Sequence, residues 1–179
     1  MNSRYTGTTA ALALAAVSLT TAAWLSTAEA ARDRADARNE KISVERGRYL
    51  AKIAGCNDCH TANYALSGGT TPESEWLVGD HVGWKGEWGT TYPANLRIAL
   101  GRLTEDQWVH LARTAQFRPP MPWFALRDMS EDDLRSFHRF VRSLGAPGQP
   151  APAYLPPGVP AQGPVITFPA PPAPKAASR

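Results

Sequence analysis

Apolar residues fall at helical spacing in three stretches of the chain. The first runs from Ser43 to Ala54 (SVERGRYLAKIA), where Tyr49, Leu50 and Ile53 are apolar and Ser43 stands as an N-cap. The second starts at Thr104 and is expected to reach Thr114. Gln107 follows three residues after Thr104 as a capping box, and Leu103 and Trp108 occupy the positions of a hydrophobic staple. The third starts at Ser130, with Asp133 as box partner and Met129/Leu134 as staple. Leu134, Phe137, Val141 and Leu144 mark its apolar face, and Gly145 ends it. Residues 61–103 read as loop, punctuated by Gly68-Gly69, Pro72, Gly79, Gly83, Gly86, Gly89 and Pro93, and no stretch shows strand alternation. So long a loop is unusual for a small core standing alone, which predicts that something besides side chains fills the interior.

The flanks have a different character. Ala10 to Leu25 is an apolar run of 16 residues (10 to 25) after Arg4, followed by the small residues Ala28 and Ala30 of an Ala-x-Ala cleavage motif. This pattern predicts a signal peptide over residues 1–30, cut before Ala31. The run is shorter than the roughly 20 residues a membrane-spanning helix needs, so membrane association is expected only if the segment stays uncleaved. Residues 31–40 (ARDRADARNE) form a charged lead-in, expected to be solvated and frayed, and 41–145 the folded domain. Residues 146–179 hold 11 of the 16 prolines and are expected to run extended. Tyr154, Leu155, Val165, Ile166 and Phe168, spaced among those prolines, fit a strap laid on the domain as well as a free tail.

Charge excludes one class of function. Lys41 to Gly145 carries 13 Lys/Arg against 12 Asp/Glu, a net of +1, with no basic run, and nucleic-acid binding is discarded. Export places the chain in an oxidising compartment, the periplasm being the expected location.

The only two cysteines stand in Gly55-Cys56-Asn57-Asp58-Cys59-His60. A disulfide across so short a ring would staple little, and a thioredoxin-like couple needs a βαβ setting that is missing here. Zinc would need a fourth ligand from His81, His110 or His138, and adjacent Cys59 and His60 seldom reach one tetrahedral ion together. Cys-x-x-Cys-His is also the attachment pattern of c-type haem, each thiol joining one vinyl group and the histidine lying beneath the iron. An apolar planar body of that size would account for the long loop. Of the six tryptophans, Trp76, Trp84, Trp88, Trp108 and Trp123 lie in the domain, most of them as core filling. A Trp or Tyr of the loop could instead donate to a haem propionate.

The ligand opposite His60 separates an electron carrier from a gas- or peroxide-binding site. Met121 in Arg118-Pro119-Pro120-Met121-Pro122-Trp123 lies 61 positions downstream (121 minus 60), between prolines that stiffen its backbone. Met129 is explained by its staple position. His81 offers a bis-histidine alternative from the Gly-rich loop, whereas His110 and His138 fall on helices. Met121 is the expected distal ligand.

These residues resemble the small monohaem class I cytochromes c over roughly Lys41 to Gly145. GRYLAKIAGCNDCHT is similar to their first helix and haem site, and RPPMPWFALRDMSEDDLRSFHRFVRSLG to their distal loop and last helix. GEWGTTYPANLR is similar, less specifically, to cytochrome c domains that serve periplasmic dehydrogenases. The resemblance implies a mainly α fold of three to five helices around one covalent haem c, with Cys56 and Cys59 as attachment residues, His60 proximal and Met121 distal. It implies close contact of the first and last helices at Gly47, against Phe137 and His138 or Val141. The implied function is single-electron transfer without catalysis, between redox partner proteins such as a periplasmic dehydrogenase or a terminal oxidase, with no small-molecule substrate. Two alternatives stay open: a subunit tethered to a larger dehydrogenase or oxidase, the Pro-rich tail being a departure from the family, and a haem enzyme or sensor with a labile distal ligand.

Overall fold

The computed structural model describes residues 27–37, 39 and 42–169. The apolar run Ala10–Leu25 lies outside these residues. Residues 27–37, which include the predicted cleavage motif and most of the lead-in, are helical and exposed rather than frayed. Among the described residues no helix is long and apolar enough to cross a membrane.

From Ile42 onward the chain is mainly helical with a small sheet. The elements are α1 (Val44–Ile53), α2 (Cys56–His60), a 3-10 turn (Glu73–Glu75), β1 (Gly83–Gly86), β2 (Gly89–Thr91), α3 (Leu96–Gly101), α4 (Glu105–Thr114), α5 (Trp123–Asp128), α6 (Glu131–Ser143) and β3 (Val165–Thr167). The three predicted helices are α1, α4 and α6. The Ser43 hydroxyl accepts the Arg46 N–H at 3.0 Å, and Thr104 and Gln107 form both halves of their capping box. Each such cap contributes about 1 kcal/mol by satisfying an N–H that the helix leaves orphaned.

At α6 only half of the predicted box forms. Ser130 Oγ accepts the Asp133 N–H at 3.1 Å, but the Asp133 carboxylate turns to Arg46 Nε at 2.8 Å and ties the start of α6 to α1. That bond from Arg46 holds the Asp133 carboxyl below its usual range. A depressed folded-state pKa stabilises above the unfolded value and loses that contribution as pH falls through the folded one. Denaturant unfolding of Asp133→Asn is therefore expected to show a shallower acid limb than the parent below about pH 4. Near neutrality the difference is under about 1 kcal/mol, because both partners are partly solvated. An acid limb of unchanged steepness would remove Asp133 from the account.

Helices α1 and α6 form the most extensive packing in the molecule. Their crossing depends on Gly47. A Cβ there would collide with the Ser136 carbonyl and stand 2.6 Å from Phe140 Cβ, so the close approach expected at Gly47 is made, with Ser136 and Phe140 nearest, neighbours on α6 of the expected Phe137, His138 and Val141. Around it lie Leu134, Phe137, Phe140, Val141, Ala51, Leu100, Trp108 and Ala112, all buried. Full burial of a side chain of this class is worth roughly 1.5–3 kcal/mol. Trp76 meets Tyr64 and Phe140 edge-on at 5.8 and 6.2 Å, and Trp108 Nε1 donates to Leu134 O at 2.8 Å. Of the apolar residues predicted on α1, Leu50 is buried, while Tyr49 and Ile53 remain 51% and 60% exposed.

The segment 61–103 is more structured than its sequence predicts. It holds the 3-10 turn, the antiparallel hairpin β1–β2 and the short helix α3. The strands are four and three residues long, too short for alternation to register. Much of the loop is gathered by Arg97, whose guanidinium donates to the carbonyls of Trp76 (2.7 Å), Glu73, Ser74 and Leu144 (each 3.0 Å). Those bonds join the loop to the end of α6 without any β ladder.

The tail lies on the domain. Asn95 caps α3 through Oδ1 and donates through Nδ2 to the carbonyls of Pro147 and Gln149. Leu155 exchanges two backbone hydrogen bonds with Thr90 of β2, and β3 pairs in parallel with β1, completing a sheet of order β2-β1-β3. Phe168 packs on Trp84 and Trp88, with ring centroids 5.8 and 5.3 Å apart. Of the two readings open for the tail, the strap is the arrangement found, although Val165 and Ile166 stay exposed. Its one strand is an edge strand, where the flanking prolines do not interrupt a ladder.

Candidate functional site

Helix α1 closes with the Ala54 N–H on the Leu50 carbonyl at 2.9 Å. Gly55 then takes a left-handed conformation (φ 72°) that redirects the chain into the single turn of α2. That φ is strained for any residue with a Cβ. Cys56 and Cys59 are three residues apart on this turn and so share one face, with His60 next in line.

Both cysteines are free and half-buried. Desolvation pushes the Cys56 thiol up to about 12 and raises that of Cys59 as well, with Asp58 nearby adding to both. Thiols in this state are protonated at neutral pH, the reverse of the lowered pKa that marks a redox-active Cys-x-x-Cys.

His60 is oriented by its surroundings. Its Nδ1 lies 2.8 Å from the Ala94 carbonyl. A carbonyl only accepts, so Nδ1 carries the proton and Nε2 presents a lone pair. Burial lowers the pKa of the ring, against the smaller opposing effect of the Ala94 carbonyl, which keeps the imidazole neutral. A neutral histidine with its tautomer set by a carbonyl is the form in which this side chain binds a metal through Nε2.

The frame around His60 is equally determined. Thr61 Oγ1 donates to Asn57 Oδ1 at 2.8 Å and accepts the Leu77 N–H at 2.8 Å, while the Gly79 N–H donates to the His60 carbonyl at 2.8 Å. Asn57 and Thr61 are fully buried.

Met121 is half-buried on a separate element, a mostly exposed loop between α4 and α5. Its N–H donates to Arg118 O at 3.3 Å and its carbonyl accepts the Trp123 N–H at 2.9 Å. The loop is tied to β2 by Thr91 Oγ1, which donates to Pro119 O at 2.7 Å. Met129 packs against the buried cluster, as its staple position predicts. The other histidines are less suited as ligands. His81 and His110 are exposed, and buried His138 has its Nε2 engaged by Leu103 O at 2.9 Å.

Three observations bear on whether these residues fit a haem. First, the two thiols and the oriented imidazole are contiguous on one turn. Second, large apolar side chains are uncovered beside both ligand segments: Ile53 three residues before Cys56, and Phe117 and Phe124 four before and three after Met121, at 60%, 37% and 55% exposure. Third, Trp88 Nε1 is buried with no acceptor among the described residues. A buried N–H of this kind costs about 1–3 kcal/mol unless an acceptor reaches it, and Asn57 Nδ2, on the turn of the two thiols, is in the same state. The residues fit.

Among the arginines outside this turn, Arg97 is engaged by backbone carbonyls, and Arg118 lies over the Tyr154 ring at 3.9 Å. Arg102 lines a cavity of about 720 Å³ with Val44, Leu103, Thr104, His138 and Arg142, which includes none of Cys56, Cys59, His60 and Met121.

The sequence pointed to the thiols, the histidine and the methionine by residue type and spacing. It did not reveal Ala94, because a backbone carbonyl has no signature; the preceding Pro93, which fixes the chain locally, was the one available signal. Comparisons with protein-family models, with curated proteins and with solved structures find no match.

Proposed function

We propose that this chain is an exported, periplasmic single-electron carrier of the class I cytochrome c type. One haem c would be held through thioethers to Cys56 and Cys59, with His60 as proximal and Met121 as distal ligand. The observation that carries this reading is the hydrogen bond of His60 Nδ1 to Ala94 O, 2.8 Å long, immediately after two free, protonated thiols on the same turn. Bound there, the haem would supply a one-electron iron couple, its potential raised by a methionine sulfur.

The chain's own residues do the rest. Ala94 keeps Nε2 of His60 directed and unprotonated, the Asn57–Thr61–Leu77 hydrogen bonds hold that turn in place, and the Pro-bracketed loop presents Met121. A small redox protein of this kind exchanges electrons with larger partners and transforms no substrate of its own.

The test is a spectroelectrochemical titration of the purified holoprotein combined with carbon monoxide. A reversible one-electron couple is expected, with a reduced form that resists carbon monoxide. Rapid binding of the gas by the reduced wild type would overturn the carrier reading in favour of a sensor or enzyme.

A further inference from the structure

The loop carrying Met121 is held from outside, and the tail does much of the holding. Among the described residues, two polar contacts fix positions 118–120 from other elements. One is Thr91 Oγ1 donating to Pro119 O at 2.7 Å. The other is the Arg118 guanidinium, whose carbon lies 3.9 Å from the centroid of the Tyr154 ring. Both lead back to the strap. Tyr154 belongs to it, and its hydroxyl donates to Trp88 O at 2.7 Å at the turn of the hairpin. The next residue, Leu155, exchanges backbone bonds of 2.8 and 2.9 Å with Thr90, the neighbour of Thr91. Tyr154 thus bridges the hairpin and the start of the methionine loop, and Leu155 steadies the strand from which Thr91 reaches Pro119. The remaining bonds of the loop, Met121 N–H to Arg118 O and Trp123 N–H to Met121 O, are internal and would move with it.

We propose that Tyr154 is a positioning residue for Met121: the strap holds the methionine loop in place, and releasing Tyr154 frees the loop to withdraw the sulfur. The inference rests on the assignment of Met121 as distal ligand. A guanidinium over an aromatic face and a hydroxyl–carbonyl bond are each modest contacts, but they act in series through one ring, which anchors Arg118 to the hairpin beside the Thr91–Pro119 bond. Their loss is expected to raise the population of the open loop about tenfold. The structural cost to the domain is small, because Arg118 is exposed and Tyr154 half-buried at the surface.

The experiment uses full-length holoprotein with Tyr154→Leu, Tyr154→Phe and Arg118→Gln. For each, the near-infrared methionine-to-iron band, the rate of carbon monoxide binding to the reduced form and the melting temperature are recorded. Tyr154→Leu should weaken the band and speed carbon monoxide binding about tenfold. Tyr154→Phe keeps the ring beneath Arg118 and should recover a substantial part of wild-type behaviour. Arg118→Gln, which removes the other partner, should move the spectrum in the same direction as Tyr154→Leu.

Variants that melt lower but keep the wild-type band and gas-binding rate would overturn the proposal, leaving Tyr154 with a packing role. A wild type without the band, or one whose band survives Met121→Ala, would instead overturn the ligand assignment and with it this inference. The two failures are told apart by the wild-type and Met121→Ala spectra alone.

Discussion

Met121→Ala is expected to abolish the near-infrared methionine-to-iron band, lower the reduction potential and open the reduced iron to carbon monoxide. Alanine leaves the backbone bonds of Met121 intact, since these run through its N–H and carbonyl, and removes the thioether alone. The side chain has no role in the buried cluster, so global stability should change little without the cofactor. Met129→Ala makes the opposite forecast. That side chain packs on the cluster built around Leu134 and Trp108, and its truncation should cost on the order of 1–2 kcal/mol while the band persists. Loss of the band from Met129→Ala, with retention in Met121→Ala, would show the distal assignment to be wrong. Measured together, the pair separates a ligand from a core methionine without relying on either result alone.

The second large effect concerns attachment. Wild-type protein made alongside a haem-attachment system should carry haem through denaturing electrophoresis, with the stain following the protein band. In Cys59→Ala one of the two thiols is gone, and the stain should fall sharply; with Cys56→Ala added it should vanish. The apolar side chains beside the site would then stay uncovered, so the double variant should also melt lower and resist proteolysis less well. An unstained wild-type band under those conditions would sink the functional reading as a whole, because every part of it depends on a haem held at these two thiols.

What could be read from the sequence divides along physical lines. The helices α1, α4 and α6 were legible because their signals are local: Ser43, Thr104 and Ser130 cap within three residues, and the apolar face of α6 repeats over 13 residues. α3 and α5, at six residues each, are too brief for periodicity to show, and the strands pair only because distant segments meet. Gly47 was identifiable as a close-approach residue, but the residues nearest it, Ser136 and Phe140, were not among the expected partners. A helical face can be read from spacing, whereas the point at which two helices cross depends on the packing of both. Asp133 illustrates the same limit: its place in the sequence predicts a box, and tertiary structure gives its carboxylate to Arg46 instead. At the site, residue types revealed the groups with distinctive chemistry. The carbonyl of Ala94, the Thr61 hydroxyl network and the orphan indole of Trp88 emerge only from the folded chain.

The course of the tail has a consequence for how this molecule meets others. A two-stranded hairpin on its own leaves two unpaired strand edges, each a template on which a neighbouring chain can add itself. Here Leu155 takes up the outward groups of Thr90 on one side, and Val165–Thr167 runs along β1 on the other. The new outer margin is only three residues long and lies between Pro164 and Pro169, neither of which has an N–H to offer. The same proline-rich composition that reads as a featureless tail thus replaces the two open margins of the hairpin with one short edge bounded by prolines, which limits edge-to-edge self-association.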